Sequence, residues 1–230
     1  MIETSLPDWK RLLVVVAHPD DESFGLGAVL STFIASGTDV SILCFTHGEA
    51  STLHEIDGDL STIRAKELEA AALELGIFDV HLRDFPDGGL QSIAVPTLLA
   101  EAARLAQLKR PDGILAFDTS GVTGHPDHIQ ATGAATRLAK ELGVGLLGWT
   151  LPNTIANTLN HEFDSLMVGH EQDEINFEIS VNREKQRRAV KCHPSQLVPG
   201  GILWRRLELQ SDKEYLRWLY HPGFSTLDLV

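Results

Sequence analysis

Cysteine and long apolar runs are scarce in this 230-residue sequence. Its two cysteines, Cys44 and Cys192, are too few for a disulfide framework or a four-thiolate zinc site, and they favour a reducing, cytoplasmic compartment. No apolar run approaches the roughly 18 residues that a membrane span needs, so a membrane span is excluded. The opening residues lack a basic segment followed by an apolar stretch, so we expect no secretory signal.

Basic residues are also few. Lys and Arg together number 19 against 32 Asp and Glu, a formal net charge of −13. Such a surface repels phosphate backbones, so we expect no nucleic-acid partner. The length suits one large α/β domain. Because no linker divides the chain, we predict a single domain over residues 1–230, with a core at about 10–150 and a C-terminal elaboration at about 151–230.

Short apolar segments alternate with helical segments over the first 150 residues. The predicted strands are 12–17, 40–45, 78–82, 113–117 and 144–149; the predicted helices are a stretch ending at 36, then 63–75, 96–109 and 126–142. This alternation predicts an α/β fold that is Rossmann-like, with a mainly parallel sheet and helices on both faces. Beyond residue 150 we predict strands near 163–168 and 175–181, a helix over 183–192, and a less regular segment over 195–230.

Two loops rich in imidazole and carboxylate groups follow the first and fourth predicted strands. They are His18-Pro19-Asp20-Asp21-Glu22 and Gly124-His125-Pro126-Asp127-His128. Ligands of parallel α/β sheets bind beyond the carboxyl ends of the strands, where the strand order reverses. In a 3-2-1-4-5 order, strands one and four are neighbours. We therefore expect the two loops to share one crevice.

The two loops predict a metal site. Clustered carboxylates repel one another unless a cation lies among them. Two histidines and one carboxylate with an open position suit a catalytic divalent ion, most simply zinc. His18 and Asp21 are three residues apart, so one backbone turn directs both inward, and His128 completes the set from the other loop. Either His-Pro-Asp taken alone also fits a turn in which Asp caps a helix.

The remaining side chains of the two loops predict catalytic groups. Asp20 is left beside the ion as a base for water. His125 is placed to donate a hydrogen bond to a developing oxyanion. Asp127 is expected to fix the tautomer of His125.

The combination of His18-Pro-Asp-Asp-Glu, Gly25-x-Gly27 and His125-Pro-Asp-His128 resembles the LmbE-like zinc de-N-acetylases. That superfamily contains the de-N-acetylase of N-acetylglucosaminyl-phosphatidylinositol. The likeness runs in order over the first 140 residues. A weaker likeness follows at His193-Pro194-Ser195-Gln196, which is similar to a C-terminal signature of the family.

The resemblance implies roles for individual residues. It makes His18, Asp21 and His128 zinc ligands, Asp20 the general base and His125 the electrophile or acid. It also implies that Arg64 contacts substrate and that Asp87 hydrogen-bonds sugar hydroxyls; a surface helix Arg and a turn Asp are the alternatives. Some members carry Tyr where this chain has Thr123, so a second oxyanion donor is not expected there.

The implied function is a zinc-dependent N-deacetylase, a hydrolase of linear amides. A zinc-bound water would remove acetyl from a small N-acetylglucosamine-type conjugate. Alternatives are hydrolysis of another amide such as a sugar–thiol conjugate, a non-catalytic metal-dependent sugar-binding module, or a mononuclear iron oxygenase. Fe²⁺ or another divalent ion is an alternative to Zn²⁺, and homo-oligomer formation is left open.

Overall fold

A seven-stranded mixed sheet dominates the computed structural model, which describes residues 2–53 and 57–223. The strands are β1 (Arg11–Val16), β2 (Asp39–Thr46), β3 (Asp79–Phe85), β4 (Gly113–Phe117), β5 (Gly145–Thr150), β6 (Phe177–Ser180) and β7 (Lys213–Tyr220). The helices are α1 (Asp21–Phe24), α2 (Gly27–Ala35), α3 (Leu60–Leu75), α4 (Val95–Lys109), α5 (Pro126–Leu142), α6 (Asn153–Phe163), α7 (Glu184–Val190) and α8 (Ile202–Gln210).

The strand order is β3-β2-β1-β4-β5-β7-β6. The first five strands are parallel to their neighbours, whereas β7 runs antiparallel to both β5 and β6. The predicted α/β fold and the order 3-2-1-4-5 are thereby confirmed. The order reverses between β1 and β4, which are paired directly, so the loops that follow these two strands are adjacent.

Both faces of the sheet are covered, as β1 illustrates. Its residues are apolar and alternate between two cores, because successive side chains of a strand point to opposite faces. Leu12 and Val14 pack with α2 and α3 on one face. Leu13 and Val15 pack with α4 and α5 on the other. A strand covered on both faces needs a continuous apolar run, and β1 has one.

The C-terminal part differs from expectation in two places. The predicted strand at 163–168 is wrong, because α6 extends to Phe163 and Asp164 ends it in a left-handed conformation with φ 50°. The apolar residues that follow form an irregular segment against the loop after β4, where the Val168 N–H donates to Val122 O. The segment expected to be less regular from residue 195 holds α8 and β7 instead; its residues 224–230 lie outside the described residues.

Within the part of the chain that the structure describes, no helix combines the length and the apolar character needed to cross a bilayer.

Candidate metal centre and active site

The two histidine-rich loops meet at the carboxyl ends of β1 and β4. His18 lies two residues beyond β1, and Asp21 begins α1. His128 lies in the first turn of α5, whose first residue is Pro126. One potential ligand atom from each of His18, Asp21 and His128 lies within 4.8 Å of the other two. The structure therefore brings together the three residues that the sequence predicts as metal ligands.

The donor atoms of this triple are arranged as a cation requires. Nδ1 of His18 lies 3.3 Å from Nε2 of His128, which in turn lies 3.1 Å from Oδ1 of Asp21. Nδ1 of His18 lies 3.9 Å from Oδ2 of Asp21. Two imidazole nitrogens this close repel each other unless a proton or a cation lies between them. Two nitrogens and one carboxylate oxygen form a donor set that suits zinc and other divalent transition metals.

The other polar atoms of the same residues are already held by the protein. Nδ1 of His128 lies 3.1 Å from the carbonyl of Gly121, which accepts its proton and leaves Nε2 as the donor atom. Oδ2 of Asp21 accepts from the backbone N–H groups of Ala17 and His18, at 3.0 and 2.9 Å. Such outer contacts fix the tautomer and orientation of metal ligands. The residues present thus fit a divalent ion.

Acidic neighbours give the cluster a field that favours positive charge. Burial acts against the charge of His18, but hydrogen bonds to Asp127 and Asp87 outweigh it and raise the pKa of His18 to about 10. Nε2 of His18 lies 3.0 Å from Oδ1 of Asp87 and 3.3 Å from Oδ2 of Asp127. Burial raises the pKa of Asp21, yet His128 and His18 together hold it well below its usual range.

Asp20 lies beside this cluster. Its backbone is left-handed, with φ 103°, and its Oδ2 accepts a hydrogen bond of 2.9 Å from Nη2 of Arg64. Burial raises the pKa of Asp20 to about 6, although the charge of Arg64 acts in the opposite direction. A carboxylate with this pKa is ionised at neutral pH and is a stronger base than an ordinary Asp.

Arg64 is buried and spans two loops. It donates from Nη1 to the Gly48 carbonyl at 2.6 Å and from Nη2 to the Pro19 carbonyl. Gly48 has φ +65°, and a Cβ there would lie 2.1 Å from Nη1 of Arg64. The alternative of a surface helix arginine is therefore excluded. Arg64 lines the cavity described below, but its located contacts are with the protein, and one of them holds Asp20.

Asp127 contacts His125 through its backbone and other groups through its carboxylate. Its carboxylate accepts from the N–H groups of Gly88 and Leu90, at 2.8 and 3.0 Å, and lies against His18. Only its backbone N–H contacts His125, donating to Nδ1 at 3.2 Å. The role predicted for Asp127, fixing the tautomer of His125, thus falls to its backbone N–H, because the first turn of α5 directs the carboxylate towards the β3–α4 loop.

His125 keeps one ring nitrogen unused by the backbone. Since Nδ1 accepts from Asp127, the neutral ring carries its proton on Nε2. Burial lowers the pKa of His125, and the charges of His18 and His128 lower it further. His18, His125 and Asp127 also form a triple with ligand atoms within 4.8 Å. That triple suits an ion less well, because both carboxylate oxygens of Asp127 already accept backbone N–H groups.

Glu22 and His193, two buried residues without a predicted role, form contacts behind Asp20. Glu22 has no exposed surface; its Oε2 accepts from the N–H of Asp20 at 2.9 Å, and its Oε1 accepts from Nε2 of His193 at 2.8 Å. His193 is also fully buried. The His193-Pro-Ser-Gln signature was the available sequence signal for this contact, but nothing in the sequence paired it with Glu22.

A cavity of about 590 Å³ opens over the cluster. Seven of the eight predicted site residues line it, all except Asp127: His18, Asp20, Asp21, Arg64, Asp87, His125 and His128. Asp87 contacts His18 and accepts from the Ala50 N–H at 2.8 Å. Thr123 also lines the cavity, with Oγ1 3.2 Å from Nδ1 of His128. The apolar side chains that line the cavity are Phe24, Phe117, Val122, Trp149, Met167, Ile202 and Leu203.

Comparison with known families finds a match over the first part of the chain. The model of the family PIG-L, GlcNAc-PI de-N-acetylase, matches residues 13–140. A 1D-myo-inositol 2-acetamido-2-deoxy-alpha-D-glucopyranoside deacetylase of Salinispora arenicola is 35% identical over 159 residues, which are 58% of this chain and 51% of that protein. The protein of the same description from Streptomyces griseus is 32% identical over 172 residues, 64% of this chain and 54% of that protein. The chain spans about half the length of these relatives.

Among solved structures, the N,N'-diacetylchitobiose deacetylase of Pyrococcus horikoshii is similar over almost the whole chain. The TM-score is 0.70 at 22% identity, with 97% of this chain and 90% of that chain covered. At this level of identity the likeness concerns the fold. It extends beyond residue 140, so the C-terminal helices and strands belong to the shared architecture.

Proposed function

Because the chain belongs to the PIG-L (GlcNAc-PI de-N-acetylase) family, we propose that it is a metal-dependent deacetylase that hydrolyses the acetamide of an N-acetylglucosamine-type conjugate. The observation that carries this proposal is the convergence of His18, Asp21 and His128, with Asp20 and His125 beside them on one cavity. Retention of an ion requires only the first three residues. The other two supply a base and a hydrogen-bond donor, which a binding module does not need.

His18, Asp21 and His128 would hold the ion, with zinc the first candidate and Fe²⁺ the alternative. A bound ion of this kind supplies Lewis acidity, which polarises a carbonyl oxygen and makes water more acidic.

Asp20 is proposed as the general base. Its carboxylate, ionised at neutral pH, takes a proton from the attacking water, and Arg64 keeps it in place through the contact with Oδ2. In its acid form Asp20 then returns the proton to the departing amine. The products are acetic acid and the free amino sugar; the proton that the acid loses in forming acetate is taken up by the amine, so atoms and protons balance.

His125 is proposed as the oxyanion donor. Its lowered pKa leaves the ring neutral at pH 7, and the backbone N–H of Asp127 occupies Nδ1. Nε2–H is thereby available to the oxygen of the acetyl carbonyl as negative charge develops on it. Asp127 would act one step away, by fixing the His18 ring.

The substrate class rests on the relatives, which are named as deacetylases of an N-acetylglucosamine–inositol conjugate. We propose a small N-acetylated sugar as substrate, with Asp87 in the lining of the cavity to accept from a sugar hydroxyl. Asp87 carries this role together with its contact to His18.

The test is acetate release from N-acetylglucosamine, N,N'-diacetylchitobiose and the inositol conjugate, before and after chelation. We expect turnover of at least one compound, its loss with chelator, and its return with Zn²⁺ or Fe²⁺, whichever the protein uses.

His128→Ala should bind less metal than wild type, whereas the exposed His161→Ala should match wild type. Sugar binding without acetate release would favour a binding module, and turnover that survives complete metal removal would overturn the proposal.

A further inference from the structure

A buried arginine without a carboxylate partner lies among the apolar side chains that line the cavity. Arg206, in α8, is 5% exposed and lines the cavity. Its guanidinium lies 4.7 Å above the ring of Trp149, and Nη2 donates to the carbonyl of Phe24. Its Nε is buried and has no hydrogen-bond partner in the described part of the chain.

Glu214 is the carboxylate whose charge acts on Arg206, but its hydrogen bonds are with other residues. Glu214 accepts from Arg183 Nη1, from Trp149 Nε1 at 2.7 Å and from Gln210 Nε2 at 2.9 Å. Its ion pair is with Arg183, and across residues 2–53 and 57–223 no ion pair involves Arg206. Burial accordingly lowers the pKa of Arg206 to about 10, an effect that Glu214 only partly opposes. Buried charges in proteins are normally paired.

Apolar side chains separate Arg206 from the proposed metal centre. The Trp149 ring packs 5.1 Å from Phe117, and Phe117 packs 4.7 Å from the ring of His128. Met167 and Ile202 also line the cavity. The lining of the cavity therefore combines the ligand cluster, apolar side chains that lie between it and Arg206, and the cation of Arg206.

We propose that Arg206 binds an oxyanion, a carboxylate or a phosphate, on a part of the substrate that is remote from the acetamide and joined to the sugar through an apolar segment. Guanidinium groups suit both oxyanions, because their N–H donors match the spacing of the acceptor oxygens. The inference rests on the proposed function only in treating the occupant as substrate. It assigns this chain an acidic conjugate, whereas the inositol conjugate of its relatives is neutral.

The test measures binding of small probes to the metal-loaded protein by calorimetry, so it does not depend on turnover. The probes are phenylacetate, phenyl phosphate, the neutral 2-phenylethanol, and acetate as a control for anions that bind at the metal centre. We expect at least one aromatic oxyanion to bind wild type at least tenfold more tightly than 2-phenylethanol. The tighter of the two oxyanions identifies carboxylate or phosphate as the preferred group.

Two substitutions locate that preference. Arg206→Met removes the charge and keeps an apolar stem, so it should weaken the aromatic oxyanion at least tenfold while leaving 2-phenylethanol and acetate unchanged. Arg206→Lys keeps the charge and should retain most of the affinity. Arg205→Met is the matched control, because the side chain of Arg205 is next to Arg206 in sequence but pairs with Glu162 outside the cavity.

An equal loss of all probes in a folded Arg206→Met protein would mean that Arg206 only shapes the wall, and would overturn the proposal. If that variant does not fold, the wild-type measurements are sufficient. Equal affinity of wild type for phenylacetate, phenyl phosphate and 2-phenylethanol would also overturn the proposal. Failure of the proposed function is a separate outcome, namely no acetate release from any substrate, and it does not alter these binding results.

Discussion

Asp20 combines a left-handed backbone with contacts that hold it there. A non-glycine residue at φ 103° costs on the order of 1–3 kcal/mol, and such strain persists only where the surroundings over-determine it. Glu22 accepts from its N–H and Arg64 donates to its side chain. The side chain of Asp20 is thereby presented beside the ligand cluster and not within it.

The substitution Asp20→Asn tests the proposed base. An amide has nearly the same shape but cannot accept a proton at neutral pH, so we expect acetate release to fall by about 10²–10⁴-fold. Metal content, measured by elemental analysis, should stay at the wild-type level because Asp20 is not one of the three proposed ligands. Turnover close to wild type in a metal-loaded Asn variant would remove Asp20 from the mechanism.

Glu22→Gln tests the support beneath Asp20. Glu22 accepts hydrogen bonds at both carboxylate oxygens, from the N–H of Asp20 and from Nε2 of His193. Gln has a single carbonyl oxygen, so it cannot accept at both positions. We expect kcat to fall by about 10–100-fold, the range seen when outer partners of a metal site are removed, with KM and metal content unchanged. The exposed Glu69→Gln in α3 is the control. A Glu22→Gln protein with normal kcat would reduce the pair to a structural contact.

At the residue scale, the sequence predicts chemistry better than contacts. The motif and its place after two strands identified the ligand triple, Asp20 and His125 as candidates, because residue type and topology suffice for that. The contact between Asp127 and His18 depends on where the β3–α4 loop places its backbone N–H groups. The pairing of Glu22 with His193 joins residues 171 positions apart, and no local pattern encodes it.

At the scale of secondary-structure elements, glycines at two element ends allow a controlled comparison. Gly48 follows β2 and Gly143 ends α5, with φ values of +65° and +68°. A Cβ at Gly143 meets nothing within 4 Å, whereas at Gly48 it overlaps Arg64. Both Ala variants should therefore lose about 1–2 kcal/mol of unfolding free energy through the left-handed backbone.

Gly48→Ala should show a further loss of stability and a marked loss of acetate release, because Arg64 must move away from Asp20. Denaturant unfolding and activity assays on the two variants measure this difference. If both variants lose stability equally and keep activity, Arg64 does not hold Asp20 in the way described.

Asp118 connects the end of β4 to the C-terminal elements. Its buried carboxylate accepts from Nε2 of His170 at 3.0 Å and from the Ser120 N–H at 2.9 Å. Burial raises its pKa, but these hydrogen bonds outweigh burial and hold the pKa below its usual range. A depressed folded-state pKa contributes stability that is present above the unfolded value, near 3.9, and is lost as pH falls through the folded value.

Asp118→Asn should therefore lower the unfolding free energy near pH 7 by about 1–3 kcal/mol, because a charged acceptor is removed from buried donors. Between about pH 5 and pH 3 the difference from wild type should narrow, with most of the change below about pH 4. Urea unfolding across this range measures it, with the exposed Asp173→Asn as control. A difference that widens towards acid would contradict the sign.

The elements themselves were predictable to different degrees. From β1 to β5 the apolar runs and helical periods are continuous, and the prediction of α5 matches its observed bounds. In α6 the buried positions are only Ile155, Ala156 and Leu159, a weak helical signal among Asn and Thr. The segment near 163–168 contains the apolar residues that predict a strand, but it is irregular: Met167 lines the cavity and Leu166 is 82% exposed.

At the scale of the whole molecule, we propose that the core and the C-terminal elaboration form one folding unit. Trp9 stacks on Phe33 and packs edge-on against Trp218 of β7, with ring centroids 5.8 and 6.0 Å away. The C-terminal strand is thus packed against residues near the start of the chain. We expect far-ultraviolet circular dichroism and tryptophan fluorescence to follow one coincident unfolding transition. Two separated transitions would indicate independent domains.

The position of the site on the sheet reflects chain topology. The pairing of β1 with β4 brings together residues from both ends of a segment of more than 100 positions, and the sequence predicts this once the strand order is inferred. The cation of Arg206 could not be predicted, because α8 follows the segment where helical and strand signals weaken.

Because β1 is buried on both faces, the position of the site residues that follow it depends on the exact number of residues in the strand. Removing a single amino acid between Leu12 and Val16 would shift the parity of the strand, so each later side chain would exchange one core for the other unless the pairing slipped. His18 would then leave the crevice without having been mutated. Length variation in this strand is accordingly far more damaging than exchange of one apolar residue for another.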